Sequence, residues 1–133
     1  NLARFNWMSG LPFDIEVMRL AAQYQHGLPD DCTHRATARS RICGDICHAG
    51  LDIVHHGVLR LEMRVEACIF CQASTAILCE LHQQLGKPMP TIEELTQLDA
   101  RYALLAQHEK RHGCILLPFE ARSLVLTQAG INS

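Results

Sequence analysis

The stretch VLRLEMRVEA, residues 58–67, alternates apolar and charged side chains along its whole length. Such alternation predicts a β-strand with one buried and one solvated face. Residues 46–55 alternate in the same manner, and His56-Gly57 between the two segments favours a tight turn, which predicts an antiparallel hairpin. Its buried face is predicted to comprise Cys47, Ala49, Leu51 and Ile53 of the first strand and Leu59, Leu61, Met63, Val65 and Ala67 of the second, with Gly50 on the wet face.

The segments on either side of this hairpin complete the predicted fold. A short edge strand is predicted just before the hairpin, and apolar residues at helical spacing predict a helix before it and helices after it. We therefore expect an α+β fold, a small three-stranded antiparallel sheet with one face covered by about four helices. The remaining predicted elements are a helix at 12–25, a strand at 33–39, and helices at 71–85, 91–108 and 118–128.

Local residues predict where these helices begin. Asp14 suits the N-cap of the first helix, and Thr91 with Glu94 three residues later forms a capping box. Pro118 suits the first turn of the last helix, because a proline there sacrifices no hydrogen bond.

Composition bounds the class of protein. The 133 residues predict one domain spanning 1–133, and 48% apolar residues with only 5% aromatics predict an aliphatic core. A net charge of −2 gives no basic surface for nucleic acid, so no nucleic-acid partner is expected. The sequence lacks an apolar run near 18 residues and a signal-peptide pattern at its start, which predicts no membrane partner and a cytoplasmic location.

Seven cysteines are the most unusual feature of the composition. An odd number without a secretion signal argues against a disulfide framework. Free cysteines also pack well in cores, and Cys47 and Cys79 lie on apolar stripes, so we predict that these two are core residues. Cys32 has no functional explanation in the sequence.

Three other cysteines and one aspartate share a setting that favours metal binding. Cys43 lies before the first long strand with Asp45 two residues on, Cys68 precedes a helix, and Cys114 lies four residues before the predicted last helix. Helix N-termini favour thiolate over thiol. Three thiolates and a carboxylate suit zinc or iron. A redox pair of Cys68 and Cys71, or simple packing, remain alternatives at this stage.

The eight histidines provide fewer candidate site residues than the cysteines do. His48 faces away from the apolar side of its strand, and Arg111 is expected either to pair with Asp45 or a thiolate or to be solvated. Surface positions are predicted for His26, His34, His55, His56, His82 and His108.

These residues resemble those of a known family. The motif Cys43-Gly44-Asp45, then a hairpin, then Cys68 before Ala73-Ser74-Thr75 at a helix start, then Gly86-Lys87 and Arg111-His-Gly-Cys114-Ile-Leu-Leu-Pro118, resembles the iron–sulfur cluster scaffold proteins of the IscU, SufU and NifU N-domain type. The resemblance covers about residues 14–127. It implies the SufE/NifU-like α+β fold and a scaffold on which an iron–sulfur cluster is assembled and passed to apo-proteins.

The resemblance also implies roles for individual residues. Cys43, Cys68 and Cys114 match the family's cluster ligands, and Asp45 matches the aspartate that influences cluster release. The cargo would be a transient [2Fe-2S] cluster built from iron and sulfur delivered by a cysteine desulfurase, and zinc would suit the same site. The persulfide acceptor would be Cys114 in an IscU-like mechanism and Cys43 in a SufU-like one.

Several positions depart from the family pattern. Ala67 and Gly113 replace a glycine and a histidine before two of the ligand cysteines, and His112, with Arg111, is the candidate for a supporting role beside the site. The L-P-P-V-K segment that binds an Hsp70-type chaperone is absent, which speaks against that partner. Two alternatives to the scaffold remain: a zinc-dependent sulfurtransferase accessory of a desulfurase, which would be an enzyme, and an interaction module that keeps the fold without the chemistry.

Overall fold

The computed structural model describes residues 15–54, 57, 59–86 and 88–131 of the chain. Within these ranges a helix is followed by three strands and then by four helices, one more than the three that the sequence predicts after the strands. None of these helices is long and apolar enough to span a membrane. The elements are α1 (Ile15–Ala22), β1 (His34–Arg39), β2 (Ile46–Ile53), β3 (Leu59–Glu66), α2 (Ile69–Leu81), α3 (Ile92–Leu98), α4 (Ala100–Ala106) and α5 (His112–Gln128), with short 3₁₀ turns at Pro29–Asp31, His82–Gln84 and Glu109–Arg111.

The three strands form one antiparallel sheet in the order β1-β2-β3. In the hairpin, residues predicted to share the buried face lie opposite one another: Cys47 pairs with Val65, and Leu51 with Leu61. Helix α5 packs on β1 and β2, α2 packs on β3, and α1 packs on α2. The predicted α+β architecture, a three-stranded sheet with helices on one face, is therefore confirmed. Ile53 is an exception to the predicted face, because it is 59% exposed at the end of β2.

The outer face of the sheet is partly covered by the segment that contains the Pro29–Asp31 turn. Gly50, predicted to face water, is buried, because a Cβ at this position would lie 2.6 Å from Pro29 Cα and 2.8 Å from Cys32 Sγ. Only glycine allows so close an approach. Cys32 is thus buried in packing against β2, where Arg60 Nη2 lies 3.7 Å from its sulfur.

Two helix boundaries differ from the sequence prediction. The helix predicted at 91–108 begins at the expected capping box of Thr91 and Glu94 but breaks at Asp99, whose carboxylate accepts the Arg101 N–H at 2.9 Å and so starts a new helix. Leu98, the last residue before the break, is exposed. The last helix begins at His112, so Pro118 lies inside it.

The first and second helices also differ in extent from their predicted ranges. Helix α1 ends at Ala22, and residues 12–14 with the predicted cap Asp14 lie outside the described residues, as do His55, His56 and Lys87. Helix α2 begins two residues earlier than expected, at Ile69, and its last turn tightens into the 3₁₀ turn at His82–Gln84.

The junction of α2 and α5 buries polar groups. His82, predicted to be solvated, is only 6% exposed and its Nε2 lies 2.9 Å from the carbonyl of Leu59. Arg122 Nη2 donates to the carbonyl of His82 at 3.1 Å. Burial lowers the pKa of His82, because the charged imidazolium loses water here, and Arg122 lowers it further. Among the other histidines in the described ranges, His26 is exposed as predicted, whereas His34 and His108 are half-buried.

Candidate metal centre

A tight loop between β1 and β2 carries Cys43 at the surface. The Ser40 hydroxyl oxygen accepts the N–H groups of Ile42 and Cys43 at 3.2 and 3.3 Å, and Ser40 N–H donates to the carbonyl of Asp45 at 2.8 Å. Gly44 has a positive φ of 73°, a conformation that glycine adopts without strain. The loop therefore turns back on itself, which leaves the Cys43 side chain exposed and turns Asp45 inward. Sequence reasoning missed Ser40, although a serine at the start of a glycine-containing turn is a recognisable signal.

Asp45 is a buried carboxylate with an unsatisfied oxygen. Asp45 is only 6% exposed, and its Oδ1 accepts the Cys68 N–H at 3.3 Å. Oδ2 has no hydrogen-bond partner among the described residues. A buried carboxylate oxygen without a partner is costly, so its presence calls for a missing partner such as a cation.

Cys114 lies in the first turn of α5 and faces this carboxylate and Cys43. The Cys114 Sγ lies 3.7 Å from the Cys43 Sγ, and the donor atoms of Cys43, Asp45 and Cys114 all lie within 4.8 Å of one another. Among the described residues, this is the only set of three or more Cys, His, Asp or Glu side chains close enough to hold one metal ion. The structure thus brings together three of the four residues that the sequence places at the site.

Cys68 lies beside this set without joining it. It is half-buried at the N-cap of α2, and its thiol interacts with that of Cys114. Burial raises the pKa of Cys68, although the N–H groups of Cys71 and Phe70 at the helix start act in the opposite direction. At Cys68 burial therefore outweighs the helix N-terminus, contrary to the expectation that such a position favours the thiolate.

The pKa of Cys114 is also raised. Burial is the main cause, and the neighbouring thiols of Cys68 and Cys43 add to it because a second negative charge beside them is unfavourable. Thiol groups that resist ionisation alone become thiolates on binding a metal, since the cation supplies the charge that the pocket lacks.

The two candidate supporting residues point elsewhere. The guanidinium of Arg111 lies 5.5 Å from the centroid of the Phe70 ring, and the described residues contain no ion pair between Arg111 and Asp45. The His112 Nε2 lies 2.7 Å from the carbonyl of Ala106, at the end of α4. Arg111 nevertheless lines the cavity of about 340 Å³ that opens onto Cys43 and Cys114. His112 therefore fixes the start of α5 rather than replacing the missing histidine beside Cys114.

A second pair of thiols lies behind the site, in the core. The Sγ atoms of Cys47 and Cys71 are 3.4 Å apart, and both residues are fully buried. The Cys47 thiol and burial both raise the pKa of Cys71. The Cys71 thiol thus contacts the Cys47 thiol, whereas the Cys68 thiol is reached by the Cys71 N–H, which argues against a redox pair of Cys68 and Cys71. The prediction that Cys47 is a core residue is confirmed.

The prediction for Cys79 is wrong. Cys79 is exposed on α2, because the helix turns this position towards a groove beside Tyr24 and Glu80 rather than towards the sheet. All seven cysteines are free thiols. His48 lies on the outer face of the sheet, 2.9 Å from the hydroxyl of Thr37 and 3.1 Å from the carboxylate of Glu66.

Comparison with known proteins identifies the fold. No protein-family model matches the chain, and no curated protein matches it in sequence. A candidate iron–sulfur cluster assembly scaffold protein for the SUF system, SufU of Fervidobacterium islandicum AW-1, superposes with a TM-score of 0.66 at 17% identity, over 86% of this chain and 96% of that one. The N-terminal part of a nitrogen-fixing NifU-like protein from Brucella abortus gives a TM-score of 0.59 at 21% identity, over 88% of this chain and 93% of that one. The chain therefore has the fold of SufU and NifU-like proteins, as the sequence motifs imply.

Proposed function

We propose that this protein is a scaffold on which an iron–sulfur cluster is assembled and then passed to apo-proteins. The observation that carries the proposal is the unsatisfied Oδ2 of Asp45 in a buried position beside two thiols. A cation would supply the missing partner, and sulfur ligands favour iron or zinc over harder metals. The shared fold with two proteins of iron–sulfur cluster assembly supports the same interpretation.

The proposed ligands suit a cluster that has to be released to another protein. We assign Cys43, Asp45 and Cys114 as ligands, with Cys68 as the fourth donor because its thiol already neighbours that of Cys114. Thiolates hold iron firmly, whereas a single hard carboxylate is a weaker ligand for a soft site. Cys43 is the most exposed of these ligands, so an acceptor protein would reach the cargo from that side.

The same exposure makes Cys43 the point where sulfur enters. We assign Cys43 as the persulfide acceptor from a cysteine desulfurase, because its side chain is exposed whereas Cys114 is only 5% exposed. This assignment follows the SufU-like alternative rather than the IscU-like one. The partners of the scaffold are then a desulfurase and apo-proteins that accept the cluster.

Anaerobic reconstitution tests the proposal. The reduced protein is incubated with ferrous iron, cysteine, a cysteine desulfurase and a dithiol reductant that supplies the electrons for sulfide formation, and the iron, the acid-labile sulfide and the visible absorbance are measured. We expect equal amounts of iron and sulfide in the wild-type protein and loss of both in Cys114→Ala. Cys71→Ala is the matched control, because it removes a buried thiol that contacts no ligand thiol and should still carry a cluster. Failure of the wild-type protein to hold any metal would support an interaction module instead.

The exposed Cys43 also favours a second candidate function, a zinc-dependent sulfurtransferase accessory. In that case zinc would hold the acceptor thiol at rest and release it when the desulfurase docks. The two functions differ in what the desulfurase assay shows. Faster desulfurase turnover with zinc retained and no cluster formed would favour the transferase, whereas a cluster that moves to an apo-ferredoxin would favour the scaffold.

A further inference from the structure

The two contacting thiols of the site differ in their access to solvent. Cys43 is exposed, whereas Cys114 is 5% exposed and lies 3.7 Å behind it, sulfur to sulfur. Ser40 also contacts the Cys43 sulfur at 3.1 Å and holds its loop. A second sulfur atom added to Cys43 must therefore extend towards the cavity and solvent, and Cys114 remains on the inner side.

We propose that Cys114 releases this added sulfur as sulfide, an inference that rests on the proposed function. The Cys114 sulfur attacks Cys43 Sγ and forms a disulfide bond with it. The bond between Cys43 Sγ and the outer sulfur breaks, and the outer sulfur leaves with the bonding electron pair. It takes the proton of the Cys114 thiol and departs as hydrogen sulfide. The two cysteine thiols supply the two electrons that reduce the sulfane sulfur, so the first release needs no external reductant.

The geometry favours Cys114 over the other thiols for this step. Cys68 is not part of the compact set, and Cys47 with Cys71 is sealed in the core. Disulfide formation requires the sulfurs to approach from 3.7 Å to about 2.05 Å. Cys43 lies in an exposed turn next to Gly44, so the loop can provide this movement without disturbing the sheet.

Two consequences follow from this balance. Each chain releases a single sulfide and then stops, because the Cys43–Cys114 disulfide has no free thiol to accept more sulfur. A dithiol reductant is needed to restore the site for another round.

The test uses the reduced, metal-free protein. It is treated briefly with glutathione persulfide, and small thiols are removed by gel filtration. Released sulfide is trapped with monobromobimane, and the cysteines are mapped by mass spectrometry without reduction. We expect about one sulfide for each persulfide formed on Cys43, together with a Cys43–Cys114 disulfide. Cys114→Ala should keep its Cys43 persulfide at least tenfold longer, and Cys114→Ser provides a second variant if the alanine variant folds poorly.

Cys71→Ala again serves as the matched control and should release sulfide at the wild-type rate. Equal release from Cys114→Ala, or a persulfide found on Cys114 with no disulfide, would overturn the inference. A separate reconstitution with iron and sodium sulfide bypasses the persulfide altogether. A cluster formed in that experiment by a protein that releases no sulfide would refute Cys114 as the releasing thiol and leave the scaffold function intact.

Discussion

The structure contains two thiol pairs with nearly the same spacing and very different surroundings. The Sγ atoms of Cys43 and Cys114 are 3.7 Å apart, and those of Cys47 and Cys71 are 3.4 Å apart. The first pair joins a surface loop to a helix start beside a buried carboxylate. The second pair joins a central strand to a helix interior, where both residues are fully buried. Access and a neighbouring carboxylate, rather than sulfur spacing, therefore distinguish the candidate site from core packing.

The two pairs also depend on the same elements. Asp45 directly precedes β2, which carries Cys47, and Cys68 caps α2, which carries Cys71 one helical turn later. The contact between Cys47 and Cys71 joins β2 to α2 close to the ends that carry Asp45 and Cys68. The core pair contributes no ligand and does not touch the thiols of the candidate site.

The sharpest test of this comparison places the same charge in both regions. Cys71→Asp puts a carboxylate into a fully buried site and should destabilise the fold by several kcal/mol, on the order of the cost of a buried unpaired charge. Cys43→Asp adds the charge at an exposed position near the Asp45 carboxylate, and repulsion between the two should lower the free energy of unfolding by only about 1 kcal/mol. Urea denaturation followed by circular dichroism measures both. Equal loss of stability would contradict the proposed division.

Thiol labelling provides the next test. Under native conditions iodoacetamide should alkylate Cys43 readily, whereas Cys47 and Cys71 should react at least about a thousandfold more slowly, because they require global opening of the fold. Added zinc should protect Cys43 and leave the labelling rate of Cys79 unchanged. Peptide mass spectrometry at successive times gives the rates. Labelling of Cys71 as fast as that of Cys43 would show that the core pair is not sealed.

A smaller effect is expected from the carboxylate of the site. Asp45→Ala removes the hard ligand and should make a bound [2Fe-2S] cluster several-fold longer-lived, because the remaining ligands are thiolates. The decay of the visible absorbance and the rate of transfer to an apo-ferredoxin measure this effect. Asp31→Ala, on an exposed turn, is the control and should leave both rates unchanged. An unchanged transfer rate in Asp45→Ala would count against the proposed role of the carboxylate.

The smallest expected effect extends the comparison to another buried polar group. Like Asp45, His82 has a buried atom without a hydrogen-bond partner among the described residues, its Nδ1, yet it is not part of the candidate metal-binding set. Because burial lowers the pKa of His82 below 6.5, the unfolded chain binds more protons than the folded one below that pH. The contribution to stability is therefore complete above about pH 6.5 and decreases as the pH falls towards the folded pKa.

His82→Gln should remove this pH dependence while it keeps a donor for the Leu59 carbonyl. Urea denaturation at several pH values between 5 and 8 provides the comparison. If the variant and the wild-type protein lose stability in parallel on acidification, other groups cause the loss.

The sequence was sufficient to predict the features that depend on local pattern. Strict alternation located the hairpin, and the Thr91–Glu94 capping box marked the start of α3. The features that it missed depend on tertiary contacts. The partner of Cys71 is set by how α2 packs on β2, and the burial of Gly50 is set by a distant segment crossing the sheet. The break at Asp99 was missed because an aspartate within a helical pattern is compatible both with an N-cap and with an exposed position inside a helix.

The candidate site followed the same rule. Spacing and the resemblance identified Cys43, Asp45 and Cys114, which the fold brings together. The orientation of Arg111 towards Phe70 and of His112 towards Ala106 could not be read from the chain, because both depend on the turn that links α4 to α5.

The proline inside α5 affects the turn that carries Cys114 of the candidate site. Pro118 has no N–H to donate to the carbonyl of Cys114 four residues earlier. The first turn of α5 therefore has one backbone hydrogen bond fewer than the same turn of a helix without proline. This turn can then open locally, at a cost below that of unfolding the whole helix. Amide hydrogen exchange should accordingly be faster in the turn that carries Cys114 than in the helix beyond Pro118. The part of α5 beyond Pro118 is thus held in the core, whereas the first turn, which carries Cys114, opens more easily.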